Sequence, residues 1–113
     1  MKLEITDCKG IKLIALSGEV DMYTSPELRE EMMNLIRRRT SPLFVDFRGV
    51  SYIDSSGIAT FVEGLKGIMS YNGKLKLVGI PDRIMEIFNF SKLDRVFEMY
   101  GSIDDALNSL NSF

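Results

Sequence analysis

The spacing of apolar and polar residues in the first part of the chain is typical of a strand with one buried face. Residues 3–6 alternate, residues 8–10 indicate a turn, and residues 11–16 resume as a β-rich run. This pattern predicts an antiparallel hairpin, after which residues 18–21 leave the sheet.

The pattern then changes to a helical period. Thr24 offers a hydroxyl cap, Pro26 fits the first turn, and Glu27 lies three residues after Thr24, as in a capping box. Apolar residues recur on one side of the helix that follows: Leu28, Met32, Leu35 and Ile36. We therefore predict a helix that covers one face of a sheet.

The middle of the chain combines an apolar run with a second helical pattern. Residues 43–47 are apolar enough for a central strand that is covered on both faces, and a short polar turn follows. Asp54, Ser55 and Ser56 then precede a helical stripe. Its apolar members are Ile58, Phe61, Val62, Leu65 and Met69. The sequence thus predicts that a strand leads to two serines at the start of a helix.

The rest of the chain repeats the alternation of strands and helices. We expect a strand at residues 75–80, a short helix from residue 82, a polar connector, an edge strand at residues 96–100 and a last helix capped by Ser102. The prediction is an α/β fold with a mixed sheet of about five strands, in which an antiparallel hairpin precedes parallel strands, and about four helices packed mainly on one face. One domain, residues 1–113, fills the chain.

Composition restricts the function classes. Of the 113 residues, 45% are hydrophobic and 27% charged, as in soluble globular proteins. No apolar run approaches the roughly 20 residues of a membrane span, and Cys8 has no partner cysteine, so we expect a cytoplasmic protein. A net charge of −2 gives no footprint for nucleic acid, and the arginines at 37–39 are interpreted as the end of a helix.

The chain contains no histidine, which removes several chemistries. Neither a Ser-His-Asp nor a Cys-His arrangement can be built, and a histidine metal site is excluded. No phosphate-cradling glycine loop is present either. We therefore expect no enzyme activity, no metal and no cofactor.

Two interpretations of the serines remain open on these grounds. The hydroxyls could simply cap the helix, or one of them could be a modification site. If Ser55 caps, Ser56 is the accessible hydroxyl beside Gly57; if Asp54 caps, both serines lie in the first turn and the choice is open. A phosphoryl group would add about −1.5 to −2 charge next to Asp54 and Asp21, which a helix N-terminus tolerates. Phosphorylation would then switch binding rather than folding.

Three segments resemble a known family over essentially the whole chain. Gly18-Glu19-Val20-Asp21, residues 45–47 and residues 52–58 resemble the STAS domain, specifically the bacterial anti-sigma factor antagonists. The resemblance implies a protein that binds an anti-sigma factor, itself a serine kinase, and so frees a sigma factor for transcription. It implies that the kinase inactivates the protein by phosphorylating the second serine of the motif, here Ser56, and that a serine phosphatase is a further partner.

The resemblance also implies a partner surface, with neither nucleic acid nor membrane as partner. Its expected members are Gly18, Glu19, Asp21, Met22, Tyr23, Thr24, Asp54, Ser55, Ser56 and Ile58, and the expected phosphosite environment is Asp21, Asp54, Ser55 and Gly57. Met22 and Tyr23 are equally compatible with a partly buried core position and with an interface. Two other functions compete with this one: a subunit of a larger stress-signalling assembly, and a nucleotide-binding domain.

Overall fold

Residues 1–111 form a five-stranded mixed sheet with four α-helices. A computed structural model describes residues 1–111, so the last two residues of the predicted domain lie outside the described part. The strands are β1 (Lys2–Cys8), β2 (Ile11–Val20), β3 (Leu43–Ile53), β4 (Leu75–Val78) and β5 (Glu98–Tyr100). The helices are α1 (Ser25–Arg37), α2 (Ser55–Met69), α3 (Asp82–Phe90) and α4 (Ile103–Ser109), with a 3-10 turn at Leu93–Arg95.

The sheet has the strand order β1-β2-β3-β4-β5. β1 pairs with β2 in antiparallel orientation, and β2 to β5 are parallel neighbours. Each parallel pair is joined through a helix, as right-handed crossover connections require. The predicted fold class is confirmed.

Several predicted strand boundaries are wrong. β2 continues to Val20, so residues 18–20 do not leave the sheet, and β3 continues to Ile53 without the predicted polar turn. β4 ends at Val78 rather than at residue 80, and β5 begins at Glu98 rather than at residue 96. The pairing of β2 with β3 shifts register twice, between Ala15 and Ser17 and between Gly18 and Glu19. A β-bulge adds a residue to one strand without ending the hydrogen-bonded pairing. The polar residues at the ends of β2 and β3 therefore belong to an irregular strand pair and not to a turn.

Most of the core lies on one face of the sheet, where α1, α2 and α3 pack. Buried side chains from these helices, including Met32, Phe61 and Phe88, join Val45 and Phe47 of β3 in one cluster. The Phe47 ring lies 4.9 Å from that of Phe61 and 6.1 Å from that of Phe88, measured between centroids.

The other face of the sheet is covered by α4. Ala106 of this helix forms a smaller cluster with Leu13, Phe44 and Val78 from three strands. The central strand is therefore covered on both faces, as the sequence predicted.

Glycines bring α1 and α2 close together. A Cβ at Gly64 would collide with the Met32 side chain, and one at Gly67 would lie 3.1 Å from Cδ1 of Ile36. The lack of a side chain at both positions therefore allows α1 and α2 to pack closely. The predicted stripe of α2 fails at its end, because Met69 is 60% exposed.

Candidate functional site

Parallel pairing brings the ends of β2 and β3 to the same edge of the sheet. Val20 is the register partner of Ile53, and the Asp54 amide donates to the Val20 carbonyl at 3.2 Å. The loop before α1 and the first turn of α2 consequently start side by side. This arrangement joins the two segments that the sequence placed in one candidate site.

Asp54 caps α2. Its backbone is extended, with φ −112° and ψ −172°, and its Oδ1 accepts from the Ser56 amide at 2.9 Å and the Gly57 amide at 3.1 Å. The alternative in which Ser55 caps is therefore wrong. A carboxylate accepts these bonds well because the helix dipole favours negative charge here.

Both serines lie in the first turn of α2. Ser55 is exposed, whereas Ser56 is only partly exposed. Among residues 1–111, neither hydroxyl makes a side-chain hydrogen bond, although the Ser56 carbonyl accepts from Oγ1 of Thr60 at 2.9 Å. Capping thus no longer distinguishes the two serines, and exposure favours Ser55 as the accessible hydroxyl.

Gly57 fixes how closely α2 approaches the sheet. A Cβ at this position would lie 2.7 Å from Cγ1 of Ile53, and 2.9 Å from both Cγ1 and the carbonyl oxygen of Val20. Real Cβ atoms essentially never come so close, so the third residue of the helix must be small. The neighbouring Ile58 is partly buried and packs against the core, which limits what it can offer a partner.

The loop before α1 is braced by Asp21. Its Oδ1 accepts from the Tyr23 amide at 2.9 Å and the Thr24 amide at 3.0 Å. Desolvation raises the pKa of this carboxyl, but hydrogen bonds from the Thr24 and Tyr23 backbones and from the Thr24 hydroxyl outweigh it, so that the pKa lies below its usual value. Asp21 is therefore ionised at neutral pH and committed to the loop.

The predicted capping box at Thr24 is wrong. Thr24 occupies the N-cap position of α1, but its side chain accepts no hydrogen bond from the helix. Instead, Oγ1 accepts from the Asp21 amide at 2.9 Å, and its single proton is shared between the Glu19 carbonyl at 3.0 Å and Oδ1 of Asp21 at 3.2 Å. The hydroxyl is directed into the loop because Asp21 competes for the same local geometry.

Gly18 lies near the end of β2, just before the loop. Its φ of +84° is a conformation that residues with a Cβ rarely adopt, and the position coincides with the second register shift of the sheet. The next residue, Glu19, is exposed. Gly18 thus shapes the candidate surface through its backbone conformation and not through a side chain.

Three large apolar side chains are exposed around this edge. Met22 is 62% exposed, Tyr23 84% and Tyr52 48%. The interpretation of Met22 and Tyr23 as partly buried core residues is therefore wrong. Tyr52, the register partner of Glu19, was not among the predicted site residues, since a lone tyrosine in an apolar run gives no sign of the face it occupies.

Two other kinds of feature, a metal-binding cluster and a membrane-spanning helix, are not found among the described residues. Residues 1–111 contain no cluster of three or more acidic or cysteine side chains arranged to hold a metal ion. Over the same range, no helix has both the length and the apolar character needed to cross a bilayer.

Comparisons with known proteins relate the whole arrangement to one family. The sequence model of the STAS domain matches residues 2–106. The anti-sigma-B factor antagonist of Staphylococcus aureus strain NCTC 8325 is 32% identical over 93 residues, which cover 82% of this chain and 86% of that protein.

Solved structures share the fold. An anti-sigma factor antagonist from Mycobacterium paratuberculosis superposes with a TM-score of 0.88 at 22% identity and covers 98% of this chain and 94% of its own. The Bacillus cell fate determinant SpoIIAA in its phosphorylated form gives a TM-score of 0.75 at 19% identity, with coverages of 96% and 99%. Family model, relative and fold agree: this chain belongs to the STAS domain family.

Proposed function

We propose that the protein is an anti-sigma factor antagonist and not an enzyme. In its unphosphorylated form it binds an anti-sigma factor that is also a serine kinase, and this binding frees the sigma factor for transcription. Phosphorylation in the first turn of α2 switches binding off, and a serine phosphatase restores it. The similarity to the anti-sigma-B factor antagonist of Staphylococcus aureus, which extends over most of both chains, supports this assignment.

One observation carries the proposal most directly. Two serines with unengaged hydroxyls lie in the first turn of a capped helix, beside a braced loop that exposes Met22 and Tyr23. Exposed aromatic and methionine side chains are enriched at the centres of protein interfaces. A hydroxyl beside such a surface is well placed to control what binds there.

The charge balance explains how a phosphoryl group would act. The first turn of α2 already holds the carboxylate of Asp54, while Asp21 lies in the adjacent loop and Glu19 lies at the end of β2. A phosphoserine adds about −1.5 to −2 charge, which the helix dipole accommodates within the chain. A partner packed on Met22 and Tyr23 would instead meet concentrated negative charge and a strongly hydrated group. The fold persists while the affinity falls.

The identity of the modified serine is the open part of the proposal. The resemblance assigns Ser56, and this stays a prediction. Exposure supports Ser55, because its side chain faces solvent while Ser56 is partly covered. Either assignment leaves the switch in the same helical turn.

The binding step is tested by isothermal titration calorimetry with a purified anti-sigma factor kinase. Ser55→Asp and Ser56→Asp each place negative charge in the turn, and we expect the variant at the modified serine to bind at least about tenfold more weakly, or about 1.4 kcal/mol. Ser91→Asp is the matched control, since Ser91 is exposed at the end of α3, away from the turn. Unchanged affinity in both first-turn variants would contradict the switch.

The modified residue is found by incubating the protein with the kinase and ATP and mapping phosphate by tandem mass spectrometry. Ser55→Ala and Ser56→Ala identify the site by which of them abolishes incorporation. Both alanine variants should still bind the kinase, because neither hydroxyl contributes a hydrogen bond to the described fold. Phosphate outside residues 54–57 would refute the site.

A further inference from the structure

A shallow cleft lies at the other end of α2. Its volume is about 170 Å³, and its lining includes Leu65, Met69, Lys74, Leu75, Val96 and Glu98. Met69 lies 13 residues after Ser56 in α2, so this end of the helix is about 20 Å along its axis from the serines. The cleft is therefore separate from the surface that the proposed function uses.

Two large apolar side chains are exposed at this cleft. Met69 is 60% exposed and Val96 is 53% exposed, while Leu75 behind them is buried. Single exposed apolar side chains are common on protein surfaces, but here two of them border one concavity with an apolar floor. A partner's apolar side chain entering the cleft would remove both from water.

Exposed cations lie in, or next in sequence to, the segments that line the cleft. Lys74 lines it, Lys66 follows Leu65 along α2, and Arg95 precedes Val96; all three are exposed. None of the three takes part in an ion pair within residues 1–111. Asp94 is the exposed carboxylate on the same turn as Arg95. Unpaired cations therefore outnumber this carboxylate in the segments that contribute Leu65, Lys74 and Val96 to the cleft.

The one carboxylate that lines the cleft is already paired. Glu98 accepts from Nζ of Lys76 at 2.7 Å, and the Lys76 side chain is only 5% exposed. Burial lowers the pKa of Lys76, but its hydrogen bonds to Glu98 and Tyr100 outweigh this and raise the pKa above its usual value. The lysine remains charged, and Glu98 contributes little free negative charge to the cleft.

Helix capping explains only part of this charge. Lys66 lies in the last turn of α2, where a cation complements the helix dipole. Lys74 and Arg95 lie outside α2: Lys74 lines the cleft just before β4, and Arg95 precedes the lining residue Val96.

We propose that the cleft docks an acidic amphipathic segment of a partner protein. One or two apolar side chains of that segment occupy the cleft against Met69 and Val96, and its carboxylates face Lys66, Lys74 and Arg95. This surface is independent of the proposed switch, so the contact persists when the first turn of α2 is modified.

The test uses fluorescence anisotropy with a labelled peptide in which two leucines are flanked by glutamates. We expect saturable binding by the full chain. Lys74→Glu reverses a charge at the rim and should raise the Kd about tenfold. Arg83→Glu is the control, because Arg83 is exposed at the start of α3, beyond the opposite end of β4. The Ser55→Asp variant should bind the peptide like the unmodified chain.

A second peptide separates the apolar contribution from the charge. Replacing both leucines by serine should weaken binding at least about tenfold, because the cleft then buries no apolar side chain. Amide shifts in ¹⁵N spectra should map to residues 65–75 and 95–98, and the same spectra verify that each variant is folded. Equal binding of the serine peptide or of a single-stranded DNA, no effect of Lys74→Glu, or shifts confined to the first turn of α2 would overturn the proposal.

Discussion

The segments before α1 and α2 share one hydrogen-bonding pattern, but it has a different role in each. Asp21 and Asp54 each accept from the amides two and three residues further along the chain. At Asp54 these amides belong to the first turn of α2, whereas at Asp21 they belong to the loop before α1. The same aspartate turn therefore caps one helix and braces the loop of the other, which leaves the serines of α2 free and fixes the exposed loop beside them.

The largest effect is expected from Gly57→Ala, because it disturbs the capped first turn of α2 and leaves the loop before α1 unchanged. The new Cβ would collide with Ile53 and Val20, so the first turn of α2 must move away from the sheet. We expect the free energy of unfolding to fall by about 1–3 kcal/mol, measured by urea denaturation. Gly101→Ala is the control, because its nearest contact would be an ordinary 3.8 Å. Equal losses in both variants would show that close approach is not the cause.

A smaller loss is expected when the cap itself is removed. Asp54→Ala leaves the Ser56 and Gly57 amides without their acceptor and should lower the free energy of unfolding by about 1 kcal/mol. Thr24→Ala, at the corresponding position of α1, should instead speed hydrogen exchange at the loop amides that donate to Asp21. If Thr24→Ala exposes the first turn of α1 as Asp54→Ala exposes that of α2, the distinction between cap and brace is wrong.

The loop brace should appear in the pH dependence of stability. The folded-state pKa of Asp21 is depressed, so its ionised form stabilises the fold above the usual carboxyl pKa of about 4, and this stabilisation is lost as the pH falls through the lower folded value. Asp21→Asn should therefore lose less stability than the unmodified protein over that acidic range. Parallel pH profiles from urea denaturation would contradict the role of the Asp21 charge.

The smallest effect should come from the contact that joins the two helices on their outer side. Arg29 of α1 donates to both carboxylate oxygens of Glu63 of α2, the shortest distance being 2.7 Å, and both side chains are about half exposed. Arg29→Ala should change the unfolding midpoint only slightly, and less at high salt than at low salt, because exposed charges are screened. A large effect that salt does not reduce would mean that the arginine stem, not its charge, stabilises the pair.

Element types and the fold could be predicted from the sequence more accurately than individual side-chain hydrogen bonds. The change between strand and helical periodicity identified the strands and helices, and the family motif named two segments that the structure brings together at the ends of β2 and β3. Competition among Asp54, Ser55 and Ser56 for the cap could not be decided, because each is a competent cap and only the extended backbone at Asp54 selects it. The same limitation explains Thr24, whose hydroxyl competes with Asp21.

The exposure of individual side chains was the second property that the hydrophobic pattern could not predict. Met69 fits the inward stripe of α2, and Tyr52 follows an apolar run, yet both are exposed. The two register shifts between β2 and β3 likewise could not be predicted from the sequence. The pairing of the two strands continues past both shifts to Val20 and Ile53. Such details depend on how distant segments meet.

The tight seating of α2 on Gly57 restricts which enzymes can reach its serines. Many kinases read their substrate as an extended strand, but here Asp54 and Gly57 hold the serines in a helical turn against the sheet. Unwinding that turn would break the cap and pull the helix off Val20. A kinase that modifies this turn, as proposed, would have to recognise the folded surface, so we expect a peptide with the same residues to be a poor substrate.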